Sequence, residues 1–146
     1  MKRPKILPKS IFLKDQDNRR VLRRPKQFET DPTHNLPENV EQAIVELKSA
    51  LGDKWVSGDD SITCGYARDQ SFKPCMYPHI VALPGSTEDV VKVFEICNKY
   101  LIDVMPYGTG CNTVGLTIPL FGGLIMDGRR MDKIVAIDKD NMYCTV

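Results

Sequence analysis

Between Val104 and Pro119 the chain places Pro106, Tyr107, Gly108, Thr109, Gly110, Cys111, Asn112 and Gly115 close together. Glycines two apart, Gly108 and Gly110, permit positive φ where a Cβ would clash. Successive backbone N–H groups can then face one concavity, the geometry that holds a phosphate or another anion. Thr109 and Asn112 add side chains able to hydrogen-bond such a ligand. The stretch predicts an anion-binding nest.

Two familiar phosphate loops do not fit. A Walker A loop needs a lysine directly after its second glycine to reach the terminal phosphates, and Cys111 follows Gly110. A dinucleotide fingerprint of the Gly-x-Gly-x-x-Gly type needs a glycine where Thr113 stands, and Gly115 comes two residues late. The segment after it carries Pro119, Gly122 and Gly123 and does not read as a helix.

The flanking sequence must hold this loop. Val40, Ala43, Ile44, Leu47 and Leu51 recur at helical spacing after Leu36-Pro37, with Glu38 and Glu41 near the start and Gly52 as the stop. Trp55-Val56 begins a short extended piece, and Ser61–Pro78 reads as a polar loop. His79–Leu83 is a strand, and Ser86-Thr-Glu-Asp89 caps a helix. That helix carries a broad apolar face of Val90, Val91, Val93, Phe94, Cys97 and Tyr100. Leu101–Pro106 is the next strand, completing a β-α-β unit from which the glycine loop departs. Leu124–Asp127, Lys133–Asp138 and Met142–Val146 are further strands, with turns at Phe121-Gly-Gly123, Arg129–Asp132 and Lys139–Asn141. The last strand has no closing turn, and the chain reads as cut at 146.

Composition is that of an ordinary soluble globular domain, 42% hydrophobic and 27% charged. The net charge of +1 gives no global field for nucleic acid or membrane. Charge is nevertheless lopsided. Residues 1–28 hold ten Lys/Arg against Asp15 and Asp17, and the remainder is acidic. Residues 1–35, interrupted by Pro4, Pro8, Pro25 and Pro32, form an extended basic arm, read as a solvated tail. Five cysteines without a C-x-x-C pair, and only two histidines, support no metal site. Free thiols suit a reducing compartment, and no apolar run has membrane-spanning length, so a cytoplasmic protein is expected.

Pro106-x-Gly108-x-Gly110-x-x-x-x-Gly115, lying after a β-α-β unit and before strands, resembles the FAD-binding domain of the vanillyl-alcohol oxidase / p-cresol methylhydroxylase superfamily. Pro78-His-Ile-Val-Ala-Leu-Pro84 with Ser86-Thr-Glu-Asp-Val90 is similar to that family's opening, and Asn98-Lys-Tyr100-Leu-Ile-Asp-Val104 to its next segment. Gly123-Leu-Ile-Met-Asp127, Met131-Asp-Lys-Ile134 and Tyr143-Cys-Thr-Val146 resemble the succession after its flavin loop. Tyr66-Ala-Arg-Asp-Gln-Ser71 resembles a motif of its hydroxy-acid branch. The ordered match covers about residues 36–146.

The resemblance implies an α+β fold, the N-terminal half of such a domain: a small mixed sheet with a β-α-β start. It divides the chain into the arm (1–35), a helix and connecting loop (36–75) and the FAD-binding subdomain (76–146). It also implies that Pro106, Tyr107, Gly108, Thr109, Gly110, Cys111, Asn112 and Gly115 hold the FAD pyrophosphate, with Gly115 avoiding a Cβ beneath the dinucleotide. Cys111 stands where some branches carry a flavin-linked histidine, and non-covalent FAD is expected. In a flavin site a cation can hold a substrate carboxylate or stabilise a reduced ring. Arg68 is the stronger candidate for that role, whereas Arg129-Arg130 reads as a solvated pair and His79 as a strand-edge residue.

The implied activity is oxidation of a small hydroxylated substrate, a 2-hydroxy acid of the lactate or glycolate type or a para-substituted phenol, with electrons passed to an unspecified acceptor. Catalytic residues would lie on segments this chain does not carry. The partners expected are therefore a small-molecule substrate and the remainder of the flavoprotein or a second subunit. The isolated chain is expected to be inactive. A non-catalytic subunit or fragment, an alkylglycerone-phosphate-synthase-like transferase and assembly as a homo-oligomer all stay open.

Overall fold

The computed structural model describes residues 34–146, together with the backbone of two short strands in the arm, β1 (Phe12–Lys14) and β2 (Arg20–Leu22). These two pair antiparallel, Phe12 opposite Leu22. The other residues up to 33, and with them the solvated-tail expectation, lie outside the described residues.

Helix α1 (Pro37–Leu51) starts on Pro37, whose missing N–H costs nothing in a first turn, and stops where Gly52 takes φ 97°. Val40, Ala43 and Leu47, at spacings of three and four, are its buried stripe. A single 3-10 turn (Asp53–Trp55) leads to β3 (Val56–Ser57). The stretch expected as a loop then folds into a one-turn helix α2 (Asp60–Thr63) and a 3-10 turn (Cys64–Tyr66). Both are too short to show a hydrophobic period, so pattern reading passes over them.

Strand β4 (Ile80–Ala82) is buried throughout. Helix α3 (Thr87–Lys99) follows, its first turn capped by the Ser86 hydroxyl, which accepts the Asp89 N–H at 3.3 Å; such a cap contributes about 1 kcal/mol. Its apolar face is narrower than the sequence suggests. Val93, Ile96 and Cys97 are buried, whereas Val91 and Phe94 are exposed. Strand β5 (Val104–Tyr107) is followed by the glycine loop and by β6 (Leu124–Asp127).

The four-stranded sheet runs β3-β4-β6-β5, with β3 antiparallel to β4 and the other pairs parallel. Strand β6 therefore inserts between the two strands of the β-α-β unit. That insertion places β5 on an edge, where Pro106 is tolerated. Gly122 and Gly123 turn the chain into the slot with φ of 77° and 84°. A Cβ at Gly123 would run into the Asp103 carbonyl, the same oxygen that accepts the Leu124 N–H at 2.7 Å. Ile80, Ala82 and Leu124 join Val93, Ile96, Leu47 and Ala43 in the core between sheet and helices. Val81 and Ile125, one residue out of step, face the other side and are buried there as well.

Residues expected in the arm belong to the body. Asn35 is buried, with φ 56°. Its amide accepts the Asp103 N–H at 3.0 Å and donates to the Asp103 carboxylate at 2.7 Å, while His34 Nδ1 lies 3.1 Å from the same side chain. After β6, a 3-10 turn (Gly128–Arg130) leads to a separate antiparallel hairpin of β7 (Ala136–Asp138) and β8 (Tyr143–Thr145), closed where Asp138 accepts the Asn141 N–H at 2.9 Å. Ile134, Val135, Ile137, Met142 and Tyr143 are exposed. Among the described residues no helix is long and apolar enough to cross a membrane.

Candidate functional site

Strand β5 delivers the chain at Tyr107 to the loop, which runs without regular structure to β6. Gly110 takes φ 68° and Gly115 φ 88°, both in the left-handed region. Gly108 does not, so the expected pair of left-handed glycines is a single one. Gly108 serves differently, with open space on all sides of where its Cβ would be. Gly108, Thr109 and Cys111 are exposed, and Tyr107, Gly110 and Asn112 half-buried. Among the described residues, none of the N–H groups from Gly108 to Thr113 has a hydrogen-bond partner. A run of unspent donors beside an uncovered glycine suits an anionic ligand approaching the backbone.

Asn112 does not offer its side chain to that space. Its Oδ1 accepts the N–H groups of Val114, Gly115 and Leu116 at 3.2, 3.0 and 3.0 Å, and its Nδ2 donates to the Thr117 hydroxyl at 3.0 Å. The asparagine thus builds the second half of the loop from within. Thr109 Oγ1 lies 2.9 Å from Cys111 Sγ, which pairs the two exposed side chains with each other.

The loop is backed by the Tyr66–Ser71 segment. Gln70 N–H donates to the Asn112 carbonyl at 3.2 Å. A Cβ at Gly115 would press on Lys73 Cγ at 2.9 Å and meet Ser71 Oγ at 3.6 Å, so this glycine makes room for that segment. Asp69 accepts the Ser71 N–H at 2.8 Å. Burial alone would raise its carboxyl, but the Ser71 hydroxyl and N–H, with the Asn112 amide and Gly115 N–H nearby, hold it below the ordinary carboxylate value.

A polar cluster that the sequence reading passed over closes the ends of β5 and β6. Asp127 is fully buried. Its Oδ2 accepts the Tyr66 hydroxyl at 2.8 Å and pairs with Arg129 Nη2 at 2.7 Å, while its Oδ1 accepts the Arg129 N–H at 3.0 Å. Burial first, then the Asp127 carboxylate, pushes the Tyr66 phenol up to about 12. One signal was available: an acidic residue ending the apolar run Leu124-Ile-Met requires a partner when its strand is central.

The two arginines are not equivalent: Arg129 keeps an exposed side chain, as a solvated residue would, yet pairs with a buried carboxylate, whereas Arg130 is half-buried. Arg129 serves Asp127, and Arg130 donates to the Leu83 carbonyl at 2.6 Å while stacking 3.7 Å above the Trp55 ring. Arg68, the stronger candidate from sequence, is exposed and donates from Nε to Cys75 Sγ at 3.2 Å. Among the described residues it makes no hydrogen bond or ion pair with the loop. His79 Nδ1 accepts the Gly123 N–H at 2.8 Å, which fixes the turn into β6. Cys97 is a buried apolar packer whose thiol burial pushes up to about 12. No group of three or more His, Cys, Asp or Glu is placed to hold a metal among the described residues.

The same span carries the similarity to known proteins. A family model described as an FAD binding domain matches residues 78–146. A probable mitochondrial D-lactate dehydrogenase of Danio rerio is 31% identical over 107 residues, covering 73% of this chain and 22% of that protein. The crystal structure of p-cresol methylhydroxylase with substrate bound superposes with a TM-score of 0.65 at 25% identity, over 70% of this chain and 21% of that one. Alkyldihydroxyacetonephosphate synthase gives a TM-score of 0.61 at 25% identity, over 78% and 24%. The chain spans about a fifth of the length of these relatives.

Proposed function

We propose, from the premise that residues 78–146 belong to the FAD-binding domain of the vanillyl-alcohol oxidase / p-cresol methylhydroxylase superfamily, that the loop from Pro106 to Gly115 holds the FAD pyrophosphate. The observation that carries this is the run of N–H groups from Gly108 to Thr113 that have no partner among the described residues, beside an open Gly108 and a left-handed Gly110. Backbone N–H groups bind pyrophosphate oxygens well because they are fixed and desolvate cheaply. Pro106 and Tyr107 set the loop's departure from the edge strand. Asn112 acts by shaping the loop, and Gly115 by admitting the Tyr66–Ser71 segment beneath it. The bound flavin supplies a ring able to accept a hydride. The attachment is non-covalent, since Cys111 contributes its N–H and keeps its thiol against Thr109.

The activity served is oxidation of a small hydroxylated substrate. Similarity to a D-lactate dehydrogenase and to p-cresol methylhydroxylase supports a 2-hydroxy acid or a para-substituted phenol. Residues 36–75 form the segment leading into the flavin subdomain of 76–146, and substrate-contacting groups come from the remainder of the flavoprotein or a second subunit. The fold shared with alkyldihydroxyacetonephosphate synthase supports a second reading, a transferase. Five free cysteines fit a reducing compartment such as the cytoplasm.

An absorbance spectrum of the protein in its native assembly, followed by acid precipitation, tests the cofactor. A flavin band that moves to the supernatant is expected. A colourless protein overturns FAD binding, and colour in the pellet overturns non-covalent attachment. Turnover of D-lactate, of a para-alkylphenol and of an acylated glycerone phosphate separates the two activities.

A further inference from the structure

We propose that Tyr66 is a positioning residue for the glycine loop: anchored on Asp127, it fixes the ring of Tyr107, and through that ring the turn at Gly110. The inference rests on the FAD reading for the identity of the ligand, but not for the geometry of the loop.

The chain of contacts begins in the core. Asp127 is fully buried at the end of β6, and a carboxylate there is tolerable only when its oxygens are engaged. Its Oδ1 is taken by the Arg129 N–H, and Oδ2 by the Arg129 guanidinium and the Tyr66 hydroxyl. Tyr66 reaches Asp127 from sixty-one residues earlier in the chain. With its hydroxyl fixed, the ring of Tyr66 meets that of Tyr107 edge-on, centroids 4.9 Å apart and planes at 70°. This is the arrangement preferred by aromatic quadrupoles.

Tyr107 is the last residue of β5, in register with Asp127. Among the described residues its strand is an edge, with β6 on one side and no strand on the other. Its ring therefore depends on side-chain contacts for its orientation. The far end of that ring lies against Gly110, where a Cβ would collide with Oη and stand 2.5 Å from Cζ. Gly110 and the Tyr107 ring thus share one space, and the left-handed turn at Gly110 is shaped by a ring whose orientation Tyr66 sets. Removing the Tyr66 hydroxyl releases this alignment without emptying the core.

Hydrogen exchange read by mass spectrometry on the protein in its native assembly, with and without FAD, tests the proposal. In Tyr66→Phe, exchange of the loop N–H groups that Asn112 Oδ1 holds, those of Val114, Gly115 and Leu116, should rise severalfold in the flavin-free protein while α3 is unchanged, and FAD should bind about tenfold more weakly. Faster exchange without any FAD binding by the native protein overturns the cofactor reading and leaves the positioning role standing. Unchanged exchange at 114–116, or a rise shared equally by α3, overturns the positioning role. Should Tyr66→Phe not fold, Tyr107→Leu, at a half-buried position, decides by the same comparison.

Discussion

Asn112 Oδ1 accepts the N–H of Gly115 at 3.0 Å, and the same oxygen takes the N–H groups of Val114 and Leu116. One side-chain oxygen thus fills a backbone nest in the second half of the loop. Among the described residues the donors from Gly108 to Thr113 in the first half are left unspent. The two halves use the same geometry, one satisfied internally and one open to a ligand.

Asn112→Ala should release three N–H groups and lower stability by about 1–3 kcal/mol, since each net hydrogen bond contributes about 0.5–1.5 kcal/mol and water recovers part of the loss. Asn112→Asp keeps an acceptor but sets a second carboxylate beside Asp69, whose own carboxyl the Asn112 amide helps to hold down. It should also repel the pyrophosphate and weaken FAD by about tenfold or more. Urea denaturation and flavin fluorescence titration separate the two effects. Equal FAD affinity in native protein and Asn112→Asp would remove the loop from the cofactor site.

Asn35 is the tie between the entering chain and the sheet. Asn35→Ala should cost about 2–3 kcal/mol, because it strands the Asp103 N–H, takes one of two partners from the Asp103 carboxylate and forces alanine into φ 56°. Asn35→Gly relieves the backbone alone and should recover only a part. Denaturant midpoints of the two variants would show whether the side chain or the backbone conformation matters more. Identical midpoints for glycine and native asparagine would assign the site wholly to backbone geometry.

The long periodic elements were legible in the sequence because each announces itself locally. Pro37 and Gly52 bracket α1, Ser86 caps α3, and the apolar run at Ile80–Ala82 fits a central strand. The position of β6 between β4 and β5 was not legible, since both neighbours are parallel and distant in sequence. The role of Asn112 was misread for a related reason. A side chain near a ligand loop can face the ligand or the loop, and only the backbone path decides. Arg129 and Arg130 look alike as a pair, yet one is tied by a buried carboxylate on β6 and the other by Trp55 and the Leu83 carbonyl. Those partners lie up to seventy-five residues away, beyond what spacing can reveal.

Alkaline stability should carry the mark of Tyr66. Its phenol is pushed from 10.0 to about 12 in the folded chain by burial and by Asp127. The folded state therefore keeps the proton longer than the unfolded state. That contribution is fully present below about pH 10 and is lost as the pH rises towards about 12. Tyr66→Phe has no such proton to lose, so its stability should decline less over that interval. Urea midpoints compared across it, with tyrosinate absorbance as a monitor, would show the difference. Parallel declines for native protein and variant would place the proton elsewhere.

The cysteines offer a footprint of the cofactor. Cys64, Cys111 and Cys144 are exposed, and Cys97 is buried with a thiol pushed up to about 12. Iodoacetamide reacts with the thiolate, so Cys97 should resist labelling until the protein unfolds. Cys111 sits on the glycine loop with its Sγ 2.9 Å from Thr109 Oγ1, next to the unspent N–H groups. A pyrophosphate seated there would cover the thiol. Saturating FAD should therefore slow alkylation of Cys111 severalfold and leave Cys64 and Cys144 unchanged, as read by peptide mass spectrometry. Equal protection of all three would indicate a general tightening of the chain. Protection of none, in a protein that binds FAD, would move the pyrophosphate off this loop.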